Sequence, residues 1–169
     1  VSIAVGWNEL LAASTAAAVV SATGAYAAWE GGRIYTYTHL AVVRAAAGEL
    51  ADGNAVWVRT RGGVVGHIGQ QVEGEANFAG GRSLVFMRPA GPGFYEVTAR
   101  AQGQFPVEGG GDGAQPEHVV PSHAPGLLVP RLLPSPALPP ALAADVLANR
   151  TLDDAVHAVA YAWSAAHAR

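Results

Sequence analysis

The segment from Ala25 to Val43, AYAAWEGGRIYTYTHLAVV, constrains the fold more than any other part of the chain. Tyr26 and Trp29 precede the pair Gly31-Gly32, and the β-branched and aromatic run RIYTYTHLAVV follows it. Such residues suit a pleated, half-buried surface, and the glycines supply the positive φ that a tight hairpin turn demands. The chain therefore contains an antiparallel hairpin, and the remainder has to be built around it. Val19 and Val20 carry strand character further back, while Gly24 predicts a bulge or sharp bend of the kind small barrels use.

More strands follow at Ala55–Arg61, Ser83–Arg88 and Phe94–Arg100, with Ala101–Val107 extending the sheet past Gly103. Gly48, Asp52-Gly53-Asn54 and Pro89–Gly93 are the turns between them. The loop from Gly62 to Gly81 is long for a compact domain, so its own side chains should hold it, with Ile68, Val72 and Phe78 as the expected anchors. Before the hairpin, Trp7–Ser14 has a helical pattern with Trp7, Leu10 and Leu11 on one side.

Past Val107 the composition changes. Residues 108–126 are rich in glycine and proline and read as a linker. From Leu127 to Pro140 an apolar stretch carries Pro130, Pro134, Pro136, Pro139 and Pro140, which exclude helix and favour an extended, polyproline-like arm. Its leucines, among them Leu127, Leu128, Leu132 and Leu133, need cover from the rest of the chain or from another copy. Ala141–Ala148 reads as a short helix. Thr151 with Asp154 then caps a last helix, whose Leu152, Val156, Val159 and Trp163 recur at helical spacing. The fold expected is mainly β: a small antiparallel OB-like β-barrel over residues 1–107 with a short N-terminal helix, a linker over 108–126, and a Pro-rich arm ending in α-helices over 127–169.

The chemistry that the residues allow is narrow. A net charge of −3 with no lysine gives no electrostatic reason to bind nucleic acid. The absence of cysteine removes disulfides, thiolate metal sites and cysteine nucleophiles. Leu10–Ala22 falls short of the roughly 20 residues of a membrane span. GGVVGHIG has the spacing G-x-x-G-x-x-G, which fits neither the dinucleotide fingerprint nor the P-loop. No G-x-S-x-G or H-E-x-x-H occurs, and His67 is the one histidine of the long loop and its candidate acid or base. Asp112, Glu117, His118 and His123 cluster in the linker, where solvated loop residues are the expected reading. Neither an enzyme nor a bound metal or cofactor is expected.

One arrangement points to binding. Strand alternation puts Arg33, Tyr35, Tyr37 and His39 on one face of their strand, and Trp57, Arg59 and Arg61 on one face of theirs. If the two strands pair, aromatic and arginine side chains share a patch of the composition found at protein interface hot spots. The alternation leaves two orientations open: the patch faces outward, or the rings point into the core with the arginines reaching the rim.

In the order of these pieces, the chain from Asn8 to Val107 resembles uncharacterised exported proteins of GC-rich Gram-negative bacteria. Their hairpin turn of the type Trp-Asx/Glu-Gly-Gly-Arg-Ile is matched by Trp29–Ile34, their G-G-x-x-G-x-x-G-Q loop by Gly62–Gln70, and their final G-x-F strand by Gly103–Phe105. The arrangement is also similar to the OB barrel of netrin-like domains and tissue inhibitors of metalloproteinases. That mechanism depends on an N-terminal cysteine, which this chain lacks.

The resemblance implies export, and with the residues above it gives an expected function: a non-catalytic binding or assembly protein with protein partners, other copies of itself included, as a homo-oligomer. The expected contact residues are Arg33, Tyr35, Tyr37, Trp57, Arg59 and Arg61 on the strands, Leu127, Leu128, Leu132 and Leu133 on the arm, and Trp163 on the last helix. The barrel resemblance alone implies the alternative, an inhibitor or accessory domain of a secreted protease.

Overall fold

A computed structural model describes residues 2–111, 115–131 and 140–168, so Leu132 and Leu133 lie outside the described residues. In chain order the elements are β1 (Ser2–Ile3), α1 (Trp7–Ala12), β2 (Ala16–Glu30), β3 (Arg33–Gly48), β4 (Ala55–Arg61), β5 (Gly63–Val65), β6 (Ile68–Gln70), β7 (Ser83–Gly91) and β8 (Phe94–Val97). A 3-10 turn (Arg100–Gly103), β9 (Gln104–Glu108), β10 (His118–Val119), β11 (Leu128–Val129), α2 (Ala143–Leu147) and α3 (Leu152–Ala166) complete the chain. The protein is mainly β, as the sequence predicts.

Seven strands form the main sheet in the order β10-β9-β7-β2-β3-β4-β8, and β8 also pairs with β7. Five strands thus run in a circuit, β2 to β3 to β4 to β8 to β7 and back to β2. Every pairing in it is antiparallel except β4 with β8, a parallel contact at Val58 and Tyr95. The hairpin β2–β3 turns at Gly31 and Gly32, both at positive φ, and its register breaks between Ala22 and Gly24, where the glycine predicts a bulge.

The first five residues of β2 have neighbours on both sides, β3 and β7. Strands so placed bury both faces, which is why AAAVV and LVFM read as continuous apolar runs rather than as alternation. Ala17, Val19, Leu84 and Phe86 enter one core together with Trp7, Leu10, Leu11, Phe105, Val119, Leu147, Val156 and Val159. Ala18, Val20, Val85 and Met87 enter the other, with Leu40, Val42, Val56, Val58 and Val97.

The first of these cores draws on both chain ends. Residues read as linker contribute the buried Val119, whose N–H donates to the Arg150 carbonyl at 2.9 Å and whose carbonyl accepts from Asn149 at 3.0 Å. β11 lies parallel to β1, with Leu128 opposite Ser2. The Thr151 hydroxyl accepts from the Asp154 N–H at 3.2 Å and so caps α3 as predicted.

Two local expectations are corrected. Ile68 does not anchor the long loop: it is 53% exposed, because β5 and β6 form a three-pair ladder with Val64 and Ile68 in solvent. Phe78 is an anchor, buried with Ala76 in the second core. The strand expected to run through residue 100 stops at Val97, since Ala99 and Arg100 take left-handed φ and the chain makes the 3-10 turn before β9.

A carboxylate ties the circuit together near its end. Glu49 accepts from the Thr15 hydroxyl at 2.7 Å and the Tyr95 hydroxyl at 2.6 Å, linking the start of β2 to β8. Burial first, and the bond to Glu49 second, push the Tyr95 hydroxyl from 10.0 up to about 12. A folded-state pKa raised above the unfolded value gives stability that is complete below pH 10 and lost as pH climbs through 12. Tyr95→Phe is expected to flatten that alkaline loss, measured as the difference in urea midpoint between pH 9 and pH 11.5.

Candidate functional site

The two-residue turn fixes which side chains meet. Counting back from Glu30 opposite Arg33 puts Tyr26 opposite Tyr37 and Ala28 opposite Tyr35. Across the other edge of β3, Tyr35 faces Arg61, Tyr37 faces Arg59 and His39 faces Trp57. Ile34, Thr38, Leu40, Val56, Val58 and Thr60 are buried, so alternation sends the tyrosines, Trp57 and the arginines outward. Of the two orientations left open by the sequence, the structure has the patch outside.

The patch is tightly knit. Tyr26 and Tyr37 stack with centroids 5.3 Å apart and 15° between planes, and Trp57 stands edge-on to Tyr26 at 5.5 Å. His39 lies 4.9 Å from Trp57, and Phe94 of β8 meets Tyr37 edge-on at 5.6 Å. The Arg59 guanidinium sits 4.4 Å from the Tyr35 ring centroid and 4.9 Å from that of Phe94. Glu30 holds the group from the turn: it accepts from the Tyr37 hydroxyl and pairs with Arg59 at 3.2 Å. Burial, and then the bond to Glu30, raise the Tyr37 hydroxyl pKa, so it stays a neutral donor.

Each aromatic pair is worth about 0.5–1.5 kcal/mol beyond its area, and an exposed cation–π contact about 0.5–1 kcal/mol. Such contacts order the side chains before any partner arrives, which lowers the entropic cost of binding. Tyr26 is nonetheless 54% exposed and Trp57 37%. Arg33 and Arg61 are exposed and make no salt bridge to other described residues.

The structure therefore brings Arg33, Tyr35, Tyr37, Trp57, Arg59 and Arg61 onto one continuous face. Sequence reasoning missed Tyr26, Glu30 and Phe94. Counting from the Gly31-Gly32 turn would have found the first two, whereas Phe94 arrives through strand pairings that no local signal announces. The remaining expected contact residues sit on other elements. Leu127 is exposed, Leu128 is half-buried in β11, and Leu132 and Leu133 lie outside the described residues. Trp163 is half-buried against the first core, 4.4 Å from the His167 ring, which in turn bonds to the Ser14 carbonyl.

His67 is exposed at the tip of the β5–β6 ladder. Among the described residues, no helix is long and apolar enough to cross a membrane, and no group of three or more His, Asp or Glu side chains is placed to hold a metal ion; Asp112 lies outside those residues. No family model, curated protein or solved structure matches the chain.

Proposed function

We propose that the five-strand circuit is a small barrel of OB type, and that the protein is a non-catalytic, exported binding and assembly protein whose contact surface is the aromatic and arginine face. What supports the barrel is the closed order of pairings, with one parallel contact between its third and fifth strands. What supports binding is the exposure of Tyr26 and Trp57 within a cluster whose geometry is already fixed by Glu30, Arg59 and their stacked neighbours. Soluble chains seldom leave ordered rings beside free arginines in water without a partner to cover them. The partner is protein, and another copy of the same chain is the first one to test. Export rests on the family resemblance.

Light scattering of the full chain across a dilution series tests this. A mass above that of one chain, falling on dilution, is expected, and the Tyr26→Ser/Trp57→Ser variant is expected to remain at the mass of one chain throughout. A complex of unchanged mass in that variant would remove the face from the assembly. A full chain that is monomeric at every concentration would rule out self-association.

A further inference from the structure

The same three strands carry a second surface on their inner side. Where the second core is filled, the inward residues of these strands are large: Val20, Leu40, Val42, Val56 and Val58. Nearer the Gly31-Gly32 turn they become small and polar. Ala25 lies opposite Thr38, Ala27 opposite Thr36, and Thr36 opposite Thr60. The space these side chains leave is a cleft of about 690 Å³, bounded on its other side by the segment 70–79. Small-molecule sites fall in a range of about 300–1,000 Å³.

Its floor has unspent hydrogen-bonding capacity. Thr38 and Thr60 are only 6% and 9% exposed, and both line the cleft. Thr36 donates its hydroxyl to the Gly62 carbonyl at 2.7 Å, whereas the hydroxyls of Thr38 and Thr60 have no partner among the described residues. No fully enclosed polar side-chain atom is left unpaired there, so these two hydroxyls open into the cleft. The rim is held independently of any ligand. Gln70 accepts from the Ile34 N–H at 2.7 Å, Gln104 bonds to both the N–H and the carbonyl of Asn77, and Glu75 accepts from the Arg61 N–H at 2.6 Å while pairing with Arg100.

The chemistry selects a ligand class. The charged side chains of the lining, Arg61, Glu73 and Glu75, are of mixed sign and sit at the strand end and on the facing segment, while the floor of Ala25, Thr36, Thr38 and Thr60 carries no charge. An apolar ligand would leave two hydroxyls unpaired at a cost. Threonine hydroxyls both donate and accept, and Ala25, Val72 and Phe78 add apolar surface beside them. We propose that this cleft binds a neutral saccharide, with Thr38 and Thr60 bonding its hydroxyl groups. The site lies on the opposite side of the strands from Tyr26 and Trp57 and shares Arg61 alone with the outward contact residues.

Saturation-transfer NMR on the full chain tests this with glucose, N-acetylglucosamine, maltose and chitobiose as probes, and acetyl-trialanine amide as a neutral amide without hydroxyls. Transfer to at least one saccharide is expected, with binding roughly tenfold weaker in Thr38→Val/Thr60→Val, since two neutral hydrogen bonds are lost. Because no protein partner is lost, the melting temperature of that variant should hold or rise. Tyr26→Ser/Trp57→Ser should bind the saccharide like the parent. The proposal is overturned by transfer to no saccharide, by transfer to the amide alone, by equal binding in the valine variant, or by a melting temperature that falls in it, which would mean the hydroxyls already have partners.

Discussion

Phe86→Ala is expected to lose about 3–5 kcal/mol of folding stability, a large part of the roughly 5–15 kcal/mol that holds a domain of this kind together. Phe86 is fully buried where the sheet meets the helices, edge-on to Trp7 at 6.1 Å and to Phe105 at 5.9 Å. Removing the ring leaves a cavity lined by residues from α1, β9 and the sheet itself, none of which can collapse into it without moving the others. Urea denaturation followed by far-ultraviolet circular dichroism measures the loss. Trp57→Ala, on the outward side of the same sheet, should cost only its two ring contacts, with Tyr26 and His39, about 1–3 kcal/mol. A parity between the two would mean that the outer face holds the fold together and that variants there could not be read as binding variants.

Gly48→Ala is expected to prevent folding altogether. Gly48 ends β3 at φ +93°, and a methyl group there would lie 2.2 Å from the Thr15 carbonyl oxygen and 2.8 Å from the Ala16 Cα. Both obstacles are backbone, and the Thr15 carbonyl already accepts from the Glu49 N–H at 3.0 Å. Relief would require the start of β2 to move away from β3, opening the two longest strands at their root. Gly53→Ala separates the steric term from the conformational one. It too has positive φ, but nothing lies within 4 Å of the added carbon, so it should cost only about 1–2 kcal/mol of backbone strain. Soluble yield and circular dichroism distinguish the two outcomes, and a well-folded Gly48→Ala protein would contradict the packing described at that junction.

Local chemistry made some of this legible. The Gly31-Gly32 turn, the bulge at Gly24, the strand Ala55–Arg61 and the Thr151 cap each depend on a few adjacent residues, and each is where the sequence places it. Alternation also grouped the aromatic and arginine residues correctly, because that needs only a period of two. It did not choose the outer side, since rings such as Tyr35 and Tyr37 can fill a core while arginines beside them reach the rim. That choice is made by which strands and loops close over the inner face. β10 and β11 are two residues each and exist only because β9 and β1 offer them partners, so a glycine- and proline-rich stretch gives no hint of them. Ile68 shows the converse failure: an apolar residue in a long loop invites burial, yet its ladder carries it into solvent. The hydroxyl-lined cleft hides for a similar reason, because threonine is an ordinary strand residue until its partners on three strands are known.

The division of the interior into two cores sets an order of assembly during synthesis. Every residue of the second core lies between Ala18 and Val97, so that side of the sheet can close while the rest of the chain is still being made. The first core waits for Val119, Leu147, Val156 and Val159, and until they emerge Trp7, Leu10, Leu84 and Phe86 have only one another and neighbours such as Phe105 for cover. A nascent chain halted near residue 110 would thus carry a finished side and a sticky one, and it is the last helix that converts an adhesive intermediate into a protein.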